Sequence, residues 1–138
     1  MQKLYDRDFY LWAKETAAAL REGRVAEADL ENIAEEIDGL ANRDYRELYS
    51  RLRGILEHKL KLCVTKGIVL DHGRHGWETT VRTQQDELRL VLEASPSLGR
   101  RLPELIPRAY RAAADRVYGL YEVAAPPECP WTVEEILG

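Results

Sequence analysis

The chain has no apolar run approaching the ~20 residues of a membrane span. Its first twelve residues interleave Lys3, Asp6, Arg7 and Asp8 with aromatics, unlike a secretory leader. The expected address is therefore cytoplasmic, with no membrane partner. Cysteine is scarce: Cys63 and Cys129 stand far apart with no companion at metal-ligand spacing, which argues against a zinc knuckle or disulfide framework and for two free thiols. Catalytic signatures are missing too. There is no Gly-x-Ser-x-Gly, Walker loop, His-Glu-x-x-His or dinucleotide fingerprint, and no cofactor is expected. The residues three before His58, His72 and His75 are Ile55, Val69 and His72, so the Glu-x-x-His pairs of a ferritin-like di-metal site are absent. Sheet signals are equally sparse. No period-two alternation is sustained, no Asn-Gly or Asp-Gly turn occurs, and Gly67-Ile-Val-Leu70 is the one β-like run.

What is present is helical periodicity. Residues 29–66 contain no proline and only Gly39 and Gly54 as interruptions. Leu30, Ile33, Ile37, Leu40, Tyr45, Leu48, Leu52, Ile55, Leu56, Leu60 and Cys63 recur there at steps of three and four, which keeps them on one helical face. The stretch reads as one long helix or two stacked end to end. At ~1.5 Å per residue it would run roughly 55 Å, which suggests a break near Gly39 to Asp44. Tyr5, Phe9, Trp12, Thr16 and Leu20 mark a first helix ended at Glu22-Gly23-Arg24, with a short antiparallel return. Three glycines and no helical period between Gly67 and Gly76 predict a loop. A third helix is expected from about Arg74 or Trp77 to Ala94, with Trp77, Val81, Leu88, Val91 and Leu92 buried. Ser95-Pro96-Ser97 is a turn. Pro103 and Pro107 divide the region from Leu98 to Tyr121 into a helical turn and a regular helix from about Glu104. Thr132 with Glu135 three residues on is a capping box for a last turn. The expected fold is all-α, a single domain over 1–138. It comprises a bundle of four main helices over 1–125, with a long central stretch, and an arm over 126–138 that ends in a short helix and packs back through Trp131 and Ile136.

Several landmarks stand together: Tyr5-x-x-Asp8-Phe9-Tyr10-x-Trp12, Asp29-Leu30-x-Asn32-Ile33-x-Glu35-Glu36-Ile37, Leu56-x-His58-x-Leu60-Lys61, Trp77, Thr83-Gln84-Gln85, Ser95-Pro96-Ser97-Leu98, Ala109-Tyr110 and Glu128-Cys129-Pro130-Trp131-Thr132. Over nearly its whole length the chain resembles the bacterial domain-of-unknown-function family 29. The resemblance implies a small all-α bacterial protein with no established activity. Between Val64 and Gly76 the chain departs from a pattern that in many relatives is aromatic and basic.

Charge is segregated. Residues 1–50 carry 7 basic and 12 acidic side chains, residues 51–116 carry 13 and 8, and residues 117–138 carry 0 and 4, giving −5, +5 and −4. No Lys or Arg falls between Val25 and Asn42. The basic middle suits nucleic acid or an acidic partner, or else simply faces the acidic segments within one bundle.

Three groups of candidate residues follow. Glu35, Glu36 and His58 would form an acid–base constellation if the long stretch bends, the alternative being a His58 satisfied by a buried hydrogen bond. Asp71, His72 and His75 lie within five residues and are a candidate metal set, though a glycine-rich loop holds ligands poorly. Tyr10 and Tyr49 fall off the apolar stripes and, with Arg51 and Arg53, are candidate partner contacts. The expected function is a non-enzymatic interaction module that binds a protein partner or a second copy of itself, in one version as part of a toxin–antitoxin-like pair. The alternatives are a hydrolase or nuclease using Glu35, Glu36 and His58, and nucleic-acid binding through the basic 51–66 segment, which is not favoured.

Overall fold

Asp8 sets the entry into the helical framework. Its carboxylate Oδ1 accepts from the Leu11 amide at 3.0 Å, capping a helix and separating it from the single turn before it. The computed structural model describes residues 3–138, leaving out the side chain of Ala28. In chain order the helices are α1 (Leu4–Arg7), α2 (Phe9–Arg21), α3 (Glu27–Val64), α4 (Gly67–Ala94), a 3-10 segment (Pro96–Arg101), α5 (Leu102–Tyr121) and α6 (Val133–Leu137). Among the described residues there is no strand. The all-α reading with four main helices and a short helix at the end of the arm holds.

Three boundaries differ from the sequence expectation. α3 is unbroken, so the break near Gly39 to Asp44 does not occur; the good helix formers around Gly39 outweigh one glycine. The predicted loop at 67–76 is the first part of α4. The physical reason lies in Gly73. Leu70, Gly73, Trp77 and Val81 follow helical spacing, but a Cβ on Gly73 would sit 2.3 Å from the Trp77 ring. The indole fills the space that an apolar side chain at position 73 would occupy. The glycine therefore belongs to the inner stripe while erasing its hydrophobic mark. α5 likewise starts two residues earlier than expected, at Leu102, and carries Pro107 inside it with its ring exposed.

Contacts group into two compact units, Met1–Arg43 and Asp44–Gly138. In the first, α2 ends in a Schellman turn: Gly23 takes φ +72°, its amide donates to the Leu20 carbonyl at 3.1 Å, and the Arg24 amide donates to the Ala19 carbonyl at 2.8 Å. The chain returns along α3 antiparallel to α2. Tyr5 Oη donates to Glu36 Oε1 at 2.5 Å and Trp12 Nε1 donates to Asp29 Oδ1 at 3.2 Å. Tyr5 also meets the Trp12 ring edge-on, with centroids 4.7 Å apart. Trp12 is the one buried side chain among the described residues of this unit.

The second unit holds the hydrophobic core. Leu48, Leu52, Ile55, Leu56 and Leu60 of α3 pack with Val81 and Leu88 of α4, Leu105, Ala109, Ala113 and Val117 of α5, and Ile136 of α6. Each large aliphatic side chain buried this way contributes about 1.5–3 kcal/mol relative to exposure. The Thr132 capping box forms as the spacing implies, with Glu135 amide to Thr132 Oγ1 and Thr132 amide to Glu135 Oε1 both at 3.2 Å. The arm packs back through fully buried Ile136 and half-buried Trp131. Buried Gln85 fixes it: its Nε2 donates to the Ile136 carbonyl at 3.1 Å. Among the described residues no helix is long and apolar enough to cross a membrane.

Candidate functional site

The last third of α3 places a carboxylate where water is scarce. The Glu57 side chain is 12% exposed and is surrounded by cations: Arg116 Nε on α5 donates to Oε1 at 2.6 Å, and Lys61 Nζ lies 3.8 Å from Oε2. A charge so shielded is tolerated only when paired, and Arg116 supplies the short partner. Lys61 is itself buried, its ammonium 5.8 Å over the Trp77 ring. His58 Nδ1 lies 2.7 Å from the Gly54 carbonyl. A carbonyl only accepts, so Nδ1 carries the proton, and Glu57 Oε2 at 3.8 Å is the more distant neighbour.

Beside Glu57 opens a cleft of about 460 Å³ between α3, α4 and α5, lined by Ser50, Arg51, Arg53, Gly54, Glu57, Gln84 and Arg116. Arg51 is held in place: NH1 donates to Gln84 Oε1 at 3.1 Å, and NH2 lies 3.5 Å from Glu47 and 4.0 Å from Glu87. Gly54 brings Gln84 near, since a Cβ there would lie 3.6 Å from Gln84 Cγ in ordinary contact. A larger concavity, about 650 Å³, lies between α5 and the arm. Its polar groups already serve the arm: Tyr110 Oη donates to the Pro126 carbonyl at 2.6 Å and Cys129 Sγ lies 3.7 Å from the Trp131 carbonyl. Burial, followed by the nearby Cys129 and Cys63, raises the Tyr110 hydroxyl above its ordinary value.

The candidates named from sequence fall as follows. Glu36 is taken by Tyr5 and Glu35 is exposed, both in the first unit, while His58 belongs to the second. The hydrogen-bond partner of His58 is the Gly54 carbonyl, in a part-buried position. Asp71, His72 and His75 are exposed on the first turns of α4 instead of in a loop, and among the described residues no three His, Cys, Asp or Glu side chains converge to hold a metal ion. Tyr10 is 72% exposed, with Lys14 Nζ 5.8 Å over its ring. Tyr49 is half-buried against the core, the Arg108 guanidinium 5.7 Å over it, so its exposure is less than its position off the stripe implied. Arg51 and Arg53 do share one site. Glu57 and Arg116 were not singled out by sequence; a lone Glu on the basic stretch, four residues before Lys61, is a signal for Glu57, whereas Arg116 joins from α5 with no spacing to mark it.

Among the described residues every regular element is helical, and polar groups of the second unit line an arginine-rich cleft. The chain belongs to the family described as domain of unknown function DUF29, whose model matches residues 4–138. No curated protein and no solved structure matches it.

Proposed function

We propose that the protein is a non-enzymatic interaction module of the bacterial cytoplasm whose first unit receives a basic amphipathic helix from a protein partner. One observation carries this reading. On the first half of α3, Leu30, Ile37 and Leu40 are 51%, 60% and 54% exposed, although each is a large apolar side chain. Leu30 and Ile37 lie two turns apart, and Leu48, three turns beyond Ile37, is fully buried in the second unit. Within the first unit these side chains stand uncovered, at spacing suited to a helix-in-groove partner. Chemistry selects the partner. Glu27, Glu31, Glu35 and Asp38 flank the apolar side chains without any Lys or Arg from Arg24 to Arg43. An identical acidic flank would repel, whereas a basic one is attracted. An acidic module holding a basic effector is the chemistry of a toxin–antitoxin-like pair.

The test compares proteins co-purified with the parent chain and with a Leu30→Asp/Ile37→Asp variant that retains parental helicity by circular dichroism. The expected result is a stoichiometric companion with a basic amphipathic segment, lost from the variant. Companions unchanged in the variant would refute the assignment of this face, and a parent dimer dispersed by the variant would identify a second copy as the occupant instead.

A further inference from the structure

We infer that the cleft between α3, α4 and α5 is a binding site for a small phosphate-bearing anion, independent of the partner face on the first unit. The lining is dominated by donors. Arg51, Arg53 and Arg116 bring three guanidinium groups to one cavity of about 460 Å³, a size suited to a small ligand. Glu57 is the one carboxylate of the lining, and Arg116 and Lys61 already neutralise it.

The existing bonds leave the right groups free. Arg116 spends its Nε on Glu57, so the two terminal nitrogens of its guanidinium are left to donate. Gln84 accepts from Arg51 through Oε1, which fixes the amide and leaves its NH2 as a further donor. Among the described residues no ion pair holds Arg53. Ser50, one turn before Gly54 on α3, adds a hydroxyl to the same wall. A guanidinium fork matches the paired oxygens of carboxylate and phosphate alike, and three such groups around one cavity suit the anion with more oxygens and more charge, a phosphate. Two of the three are held by side chains of neighbouring helices, so little further ordering is needed on binding. The remaining lysines of the 51–66 segment do not extend the site into a continuous track: Lys61 is buried, Lys59 lies 5.0 Å over the Trp131 ring, and exposed Lys66 lies beyond the end of α3. A compact anion therefore fits better than a nucleic-acid strand.

The experiment is calorimetric titration of the full chain with pyrophosphate at constant ionic strength, alongside an oligothymidylate lacking terminal phosphate. Saturable one-site binding of pyrophosphate is expected. It should weaken about tenfold in Arg53→Gln, the loss of one charge-assisted contact, and stay unchanged in Arg24→Gln. Ser50→Glu, which places a negative charge on the cleft wall, should weaken it as well. Absence of saturable heat overturns the proposal, as does equal affinity in Arg53→Gln and Ser50→Glu. Binding of the oligonucleotide without binding of pyrophosphate overturns the choice of a small anion in favour of nucleic acid.

Discussion

The Tyr5 hydroxyl is pushed up to about 12 from its ordinary 10.0, first by the hydrogen bond to Glu36, then by burial and by the charges of Glu36, Glu35 and Asp6. The folded chain therefore keeps a proton that the unfolded chain releases above pH 10.0. The stabilisation is fully present below that value and is lost as pH rises through about 12. Titration of tyrosinate absorbance should show late-ionising tyrosines, Tyr110 among them, whose number falls by one in Tyr5→Phe, together with that part of the alkaline loss of stability. An unchanged late class in the variant would contradict it. Gly73 is a second telling residue. Gly73→Ala gains helix propensity of about 1 kcal/mol, but the new methyl collides with the Trp77 ring. Displacing that ring disturbs its edge-on contact with Tyr121, centroids 6.0 Å apart, and its contact with Lys61. The net expectation is a loss of about 1–3 kcal/mol, seen as a lower denaturation midpoint and altered tryptophan emission.

Elements marked by a side chain of their own could be read directly. Thr132 and Glu135 announce α6, Gly23 announces the end of α2, and the aliphatic stripe of α3 announces the core. Those signals are local, and local physics decides them. The start of α4 was hidden because its inner stripe passes through a glycine whose partner, Trp77, lies a turn away. The break expected in α3 came from length, a helix of roughly 55 Å being long for a compact chain, and Gly39 within it lowers helix propensity without forbidding the helix. Gly39 tests this point: nothing lies within 4 Å of a Cβ built there. Gly39→Ala should stabilise the protein by about 0.5–1 kcal/mol with no change of fold, measured by chemical denaturation. A destabilised variant would mean that the helix is not regular at this position. The candidate site was legible only in part. Arg51 and Arg53 were visible as a basic pair, but Arg116 and Gln84 join them from other helices, and pairing across helices leaves no spacing signal.

At the scale of the whole molecule, the two units bury very different amounts. The second encloses an aliphatic core, whereas the first buries Trp12 and leaves Leu30, Ile37 and Leu40 in water. These exposed apolar side chains are what the proposed partner surface rests on. The charge segregation noted in the sequence follows the same division, with the acidic flank on the uncovered face and the basic side chains largely in the second unit. Loss of the partner helix from this face should leave the core of the second unit intact, so binding and folding variants should separate. The most direct measurement is a titration of the full chain with a synthetic peptide bearing leucines at heptad spacing and lysines elsewhere, followed by calorimetry beside a peptide with glutamates in place of the lysines. Saturable binding of the lysine peptide alone, weakened at least about tenfold by Ile37→Asp, is the expected result. No binding of the lysine peptide, or binding indifferent to Ile37→Asp, would contradict the assignment of the α3 face to a basic partner helix.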